Sequence, residues 1–150
     1  TAYEIRLSLV GSEMCIRDRG GTLVRIGNFF NSEIVGVFTK SNYGVTFLNR
    51  GEILPRHPAQ LYEAFGYIIL FVVLLLLYNK TKLKDYKGFL FGFFLMFLFV
   101  VRFIVEYVKE SQGGLEDQLG IFSTGQWLSI PFILIGIGLM IKSRFINEKK

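Results

Sequence analysis

Three long apolar stretches, almost free of charge, constrain what this chain can fold into. Leu119–Ile141 and Gly88–Val101 contain no charged residue, and the apolar pattern of the second continues to Val108. Leu61–Tyr78 contains a single charge, Glu63, near its start. A helix rises about 1.5 Å per residue, so about 20 residues cross a hydrocarbon core of about 30 Å. The pattern therefore predicts three transmembrane helices.

The overall composition supports the same class of protein. Of the 150 residues, 51% are hydrophobic and only 19% are charged, and 16 are Phe. A soluble domain usually has about a quarter charged residues. We therefore predict an all-α integral membrane protein.

Basic residues predict how the helices are oriented. The connection Asn79–Lys87 has four Lys against one Asp, and the tail after Ile141 has four basic residues against one Glu. The intervening loop, Lys109–Thr124, has one Lys and three acidic residues. Because Lys-rich connections stay in the cytoplasm, the first helix should run inward and the C-terminus should be cytoplasmic. The net charge of +5 is thus explained by topology, and no nucleic-acid partner is expected.

The first nineteen residues are set apart from the fold. Residues 1–19 lack a clear periodicity, and Ser8–Arg19 resembles translated adapter sequence. We expect 1–19 to be non-native or disordered and 20–150 to form one membrane domain. Cys15 is the only cysteine, so residues 20–150 offer no disulfide, thiol nucleophile or cysteine metal site.

A mixed polar and apolar segment precedes the first span. If residues 20–36 are helical, Arg25, Asn28 and Ser32 share one face. Two interpretations remain open. The segment could be an interfacial amphipathic helix whose charges reach the headgroups, or a pocket wall where Arg supplies forked donors to a phosphate.

Residues 56–63, RHPAQLYE, introduce the first span. Pro58 is a helix start signal, which places Gln60 and Glu63 in the first turn. His57 stands beside prolines, and we expect it to brace the turn rather than to act in catalysis.

Arg102 is the charged residue that lies deepest in the second span. It lies fourteen residues beyond Gly88, roughly 21 Å along a helix, and a charge at that depth marks a functional site by default. The structural alternative is an ion pair with Glu106, four residues later. Gln126, at the start of the third span, could also reach a polar site. Residues from four segments thus converge at one depth, which predicts one polar, cation-bearing cavity suited to an anionic lipid headgroup.

Several motifs, in order along residues 20–141, resemble those of the prolipoprotein diacylglyceryl transferases. The motifs are RIGNFFNSE at 25–33 followed by Gly36, YGVTF at 43–47, RHPAQLYE at 56–63, RFIVE at 102–106 and GQWLSIP at 125–131.

The resemblance implies an enzyme of the bacterial inner membrane whose site faces outward. Such an enzyme moves the diacylglyceryl group of phosphatidylglycerol onto the lipobox cysteine thiol of a prolipoprotein, with membrane lipids around it and no cofactor or metal. On the matching positions, Arg25 and Arg102 would hold the phosphate and stabilise its leaving charge. Glu33 would shape the same pocket and is the third residue expected to be catalytic. The remaining residues would shape or support this pocket: Asn28 and Gly36 directly, and Gln60, Tyr62, Glu63 and Glu106 from behind.

Two departures from the family pattern shape the expectation. The upstream histidine-glycine-glycine motif and further N-terminal spans are absent, so the chain looks like a C-terminal portion that would be inactive alone. The Tyr-Gly pair that often precedes the second arginine is replaced by Leu98 and Phe99. Two other classes stay open: a fragment of a transporter, which should show repeats or interrupted helices, and a non-catalytic membrane assembly subunit.

Overall fold

The computed structural model describes residues 20–80, 86, 88–110 and 122–148, with side chains to residue 145. The predictions for residues 1–19, for most of the Lys-rich connection and for most of the acidic loop fall outside these ranges.

Four α-helices make up most of the described chain. α1 comprises residues 20–30, and α2 comprises Ala59–Lys80. α3 comprises Phe89–Val105 and continues as a 3-10 turn, Glu106–Val108. α4 comprises Thr124–Glu148. A further 3-10 turn, Leu48–Arg50, lies in the segment between α1 and α2.

The prediction of three membrane spans on an all-α fold is confirmed. α2, α3 with its 3-10 turn, and α4 are each long and apolar enough to cross a membrane. No strand occurs in the described ranges, where extended pairing is limited to isolated bridges. α4 continues unbroken through Pro131, so these three helices show none of the interruptions expected of a transporter.

The helix starts follow local signals. α2 begins immediately after Pro58, as predicted, and the Pro58 carbonyl accepts from the N–H of Leu61. α4 begins at Thr124, beside the expected start at Gly125–Gln126, where Ser123 and Gln126 form a reciprocal capping box. The Gln126 N–H donates to Ser123 Oγ at 3.3 Å, and the Ser123 N–H donates to Gln126 Oε1 at 3.1 Å.

α3 is the central helix of the bundle and packs against both α2 and α4. Leu70 and Leu74 of α2 are buried against Phe94 of α3. On the other side, α3 and α4 cross at Gly92 and Gly136, where a Cβ on either glycine would lie 2.7 Å from the carbonyl oxygen of the other. Close approach of two backbones at small residues is typical of helix packing in membranes.

Residues 31–58, which we call the cap segment, connect α1 to α2 without a long helix. Its extended pieces pair through the bridges Phe38–Arg56 and Val45–Arg56, and Gly36 pairs with Lys109 beyond α3. The pairing with Lys109 fixes the cap segment to the end of α3. Within the cap segment, Arg56 takes part in both bridges and is therefore its central residue.

Candidate functional site

A cavity of about 440 Å³ opens where α1, α2 and α3 meet. The polar lining residues are Arg25 and Asn28 from α1, Tyr67 from α2 and Arg102 from α3. The remaining lining residues are Gly21, Val24, Ile34 and Leu98. The structure thus brings the two arginines singled out in the sequence to one cavity, although 76 positions separate them.

α1 combines features of both interpretations offered for its segment. Leu23, Val24 and Phe30 are exposed, as on an interfacial helix, whereas Arg25 and Asn28 line the cavity. Ser32 does not continue their face, because the helix ends at residue 30 and Ser32 adopts a left-handed conformation with φ 59°.

The two arginines differ in their partners. Arg25 Nε lies 2.5 Å from Glu63 Oε2, and the Glu63 side chain is only 3% exposed. Arg102 has no ion-pair partner among the residues that the structure describes, Glu106 included. The Arg102–Glu106 pair weighed from the sequence therefore does not form, and within the described ranges Arg102 lines the cavity without a carboxylate paired to it.

Glu63 and Glu106 are joined by a cation that the sequence analysis counted only as a loop charge. Lys109 Nζ lies 3.8 Å from Glu63 Oε1 and 3.7 Å from Glu106 Oε2. Lys109 lies just beyond the 3-10 turn that follows α3, in an extended conformation, so helical spacing from Arg102 gives no signal for it. Tyr67, four residues after Glu63, was also missed, because it is an ordinary residue of α2; its hydroxyl donates to Glu63 Oε2 at 3.3 Å.

Glu106 also faces the start of α4. A Cβ at Gly125 would collide with the Glu106 carboxylate, so the glycine allows that carboxylate to lie against the first turn of α4. A carboxylate is favoured there, because the N-terminus of a helix carries partial positive charge.

A strained turn forms the wall of the cavity next to Asn28. Ile34 lines the cavity with φ 54°, a conformation that costs a β-branched residue about 1–3 kcal/mol. Gln60, which is 1% exposed, donates from Nε2 to the Glu33 carbonyl oxygen at 2.5 Å and so helps to hold this turn. The Glu33 side chain itself is exposed, with no ion pair in the described part of the chain.

The other residues predicted for the site lie behind the cavity or to its side. Gly36 fits between two backbones, since a Cβ there would be 2.5 Å from the Val108 oxygen and 2.6 Å from the His57 oxygen. Tyr62 OH lies 3.2 Å from His57 Nδ1, which agrees with a bracing role for His57. Gln126 caps α4 through Ser123 and does not line the cavity.

A second charge cluster holds the cap segment. Arg56 is buried, and its Nη2 donates to Glu52 Oε1 at 2.9 Å and its Nη1 to the Gly36 carbonyl at 3.1 Å. Glu110 Oε1 lies 3.0 Å from Arg56 Nη1, and the guanidinium stands 3.7 Å above the Phe38 ring. The hydrogen bond from Arg56 lowers the pKa of Glu52, and the same bond raises the pKa of Arg56. Because Arg56 pairs with both Glu52 and Glu110, this cluster holds the cap segment together and leaves no free charge in it for a ligand.

Fold and site together define a multi-pass helical membrane protein with an arginine-lined cavity between its helices. The sequence profile described as "Prolipoprotein diacylglyceryl transferase" matches residues 14–142. The chain belongs to this family.

Three relatives show the extent of the similarity, and each is called a phosphatidylglycerol–prolipoprotein diacylglyceryl transferase. The Tolumonas auensis protein is 52% identical over 123 residues, which are 82% of this chain and 46% of that protein. The Bacteroides fragilis protein (strain ATCC 25285) is 45% identical over 127 residues, or 85% and 44%. The Chlamydia trachomatis serovar D protein is 41% identical over 118 residues, or 79% and 43%. The chain thus spans about half the length of these relatives, and no solved structure matches it.

Proposed function

We propose that this chain, within a complete protein of the family, transfers the diacylglyceryl group of phosphatidylglycerol to the lipobox cysteine thiol of prolipoproteins. In this reaction the bond between the diacylglyceryl carbon and its phosphate oxygen breaks, and glycerol phosphate leaves with the electron pair. The cysteine sulfur forms a thioether with the same carbon, and the thiol proton passes to a base. Membership of the family and the relatives' names support this choice.

The observation that carries the proposal is the charge of the arginine-lined cavity. Arg25 and Arg102 line the cavity, and Lys109 is connected to it through Glu63. These three cations accompany two carboxylates, those of Glu63 and Glu106. Among the described residues of this network the cations exceed the carboxylates by one, and the single negative charge of a phosphodiester would balance that excess. A charge in the apolar interior of a membrane protein is costly unless a partner neutralises it.

The arginines can act differently on the phosphate. Arg102 is free to donate a forked pair of N–H groups to two phosphate oxygens. Arg25 is oriented by Glu63 and offers its remaining N–H groups from the facing helix. Charge grows on the departing phosphate during the reaction, so Arg102 would stabilise the transition state more than the ground state. Arg25 shares its charge with Glu63 and would contribute mainly to holding the phosphate before the reaction.

The remaining lining residues suit the rest of the lipid. Asn28 would orient the phosphate from α1, where it is one turn from Arg25. Val24, Ile34 and Leu98 give an apolar surface for the glycerol backbone and the first acyl carbons. The volume of about 440 Å³ lies within the usual range for small-molecule sites, so the headgroup region fits while the acyl chains extend outside. Glu33 was also predicted to be catalytic; its exposed side chain does not line the cavity, and its role stays a prediction.

The reaction has a preferred place in the cell. The Lys-rich ends of α2 and α4 favour the cytoplasmic side of the bacterial inner membrane. The cavity and the cap segment would then face outward, where prolipoproteins present their cysteine.

The test is a hybrid protein that joins residues 20–150 of this chain to the upstream half of the Tolumonas auensis relative. Purified hybrid would be assayed for transfer from phosphatidylglycerol to a lipobox peptide, with Arg102→Ala and Arg102→Lys variants. We expect Arg102→Ala to lower kcat/KM by about 10²–10³-fold, as loss of one charge-stabilising donor does. Arg102→Lys should keep part of the activity, because it keeps the charge but loses the fork.

Arg144→Ala is the matched control, since Arg144 is exposed near the end of α4 and distant in sequence from the site. It should transfer the diacylglyceryl group at the unsubstituted rate. A folded hybrid without activity, or full activity in Arg102→Ala, would overturn the proposal.

A further inference from the structure

We infer that Lys109 is a positioning residue that sets the charge available for the lipid phosphate, by sharing the Glu63 carboxylate with Arg25. The inference rests on the proposed function, because it concerns the same arginine-lined cavity. Lys109 itself does not line the cavity, so it would act through Glu63 and Arg25 and not by touching the lipid.

The first step is the geometry of the shared carboxylate. Arg25 Nε approaches Oε2 of Glu63, whereas Lys109 Nζ approaches Oε1 at 3.8 Å. The two cations therefore divide one carboxylate between them. The Lys109 side chain is only 9% exposed, so water screens these charges weakly.

The second step is the chain of charges that results. From the cavity outward it runs Arg25, Glu63, Lys109 and Glu106, and it ends against Gly125 at the start of α4. Each carboxylate in this chain thus has positive charge on both sides. Lys109 is the single member that links the two carboxylates.

The third step is how firmly the backbone of Lys109 is held. Lys109 forms an antiparallel bridge with Gly36. The Val37 N–H donates to the Val108 oxygen at 2.9 Å, and the Glu110 N–H donates to the Val35 oxygen at 3.2 Å. Gly36 permits this approach because it has no Cβ. The cap segment therefore fixes the ammonium between its two carboxylates.

The consequence is electrostatic. Without Lys109, two cations would face two carboxylates, and the excess positive charge of the site would vanish. Glu63 would also lose one of its two cations, and Arg25 would become its main counter-charge. Arg25 would then be less available to a phosphate, so binding of an anionic lipid should weaken more than the chemical step.

The experiment compares Lys109→Met with Lys109→Arg in the active hybrid protein. Lys109→Met should raise the KM for phosphatidylglycerol about tenfold, within the usual range for coupling between sites, and change kcat much less. Lys109→Arg keeps the positive charge and should stay close to the unsubstituted KM. A merely structural role would lower kcat and the yield of folded protein without this selective effect on KM.

A charge-restoring double variant sharpens the test. Lys109→Met combined with Glu63→Gln removes one cation and one carboxylate, which restores one excess positive charge. Its KM should therefore return toward the unsubstituted value, even though two buried groups have changed. A KM in the double variant that is as high as in Lys109→Met, or higher, would overturn the inference, as would loss of the fold in both.

Failure of the inference and failure of the proposed function give different results. An active hybrid whose KM is unaffected by Lys109→Met keeps the function and overturns the inference. Should the unsubstituted hybrid be inactive, the function fails, and retention of phosphatidylglycerol through purification, measured by native mass spectrometry, decides the inference. Weaker retention in Lys109→Met than in Lys109→Arg supports it, and equal retention overturns it.

Discussion

At the scale of single residues, Glu63 is the group on which the site depends most. It is 2% exposed and has contacts with Arg25, Tyr67 and Lys109. Two of these partners are cations that are themselves largely removed from water. Removing one member of a buried charge network leaves the others uncompensated, which costs more than the pair contributes.

Glu63→Ala should therefore lower the free energy of unfolding by about 3–5 kcal/mol, because Arg25 and Lys109 lose their common counter-charge. Glu33→Ala is the control: this side chain is exposed and has no ion pair in the described ranges, so its effect should stay within about 0.5 kcal/mol. Denaturant titration in mixed micelles measures both. Equal effects of the two substitutions would contradict the assignment of Glu63.

Glu52 gives the cap segment a dependence on pH. Its hydrogen bond from Arg56 lowers its pKa from the usual 4.5, so the folded state binds fewer protons than the unfolded state. This contribution to stability is complete above about pH 4.5 and declines as the pH falls through the lower, folded-state pKa. The difference in Tm between the unsubstituted protein and Glu52→Gln should thus shrink below pH 4.5. A difference that stays constant down to pH 3 would show that Glu52 is not held by Arg56.

At the scale of helices, the crossing of α3 and α4 allows a controlled substitution within one helix. Gly136→Ala would place a Cβ 2.7 Å from the Gly92 carbonyl oxygen, and overpacking of this kind costs about 1–3 kcal/mol. Gly138→Ala, two residues along α4, meets no atom within 4 Å, and its effect should be neutral or slightly stabilising. Unfolding free energies of the two variants measure the contrast, and similar values would contradict the crossing.

The sequence predicts the ends of the helices well, because charged residues and proline mark where an apolar helix begins or ends. The first span was expected near Leu61–Tyr78 and the structure has Ala59–Lys80, bounded by Pro58 and by the Lys-rich connection. The third span was expected to start at Gly125–Gln126, and α4 begins beside them at Thr124, although hydropathy alone does not register the capping box there. Its S-x-x-Q signature at Ser123–Gln126 was nonetheless present.

At the scale of the whole molecule, the charge asymmetry predicts one orientation in the membrane. In the hybrid, whose residues 20–150 contain no cysteine, Tyr43→Cys should react with a membrane-impermeant maleimide in intact spheroplasts, because the cap segment is expected to face outward. Lys80→Cys, at the Lys-rich end of α2, should react only after the membrane is opened. The reverse pattern would contradict the topology and place the cavity on the cytoplasmic side.

The site was predictable in part. Arg25 and Arg102 could be found because charge inside an apolar segment is costly and therefore informative. Lys109 and Tyr67 could not be ranked by that argument, since one lies where loop charges are common and the other is an ordinary helix residue. Their importance arises from packing around Glu63, which no local pattern encodes.

The most direct test of the central claim is an experimental structure of the hybrid protein in nanodiscs that contain phosphatidylglycerol. The charge argument predicts one lipid phosphate in the cavity, with oxygens about 2.7–2.9 Å from the guanidinium nitrogens of both Arg25 and Arg102. A cavity filled only by acyl chains, or a phosphate bound elsewhere while Arg102 faces lipid, would contradict it.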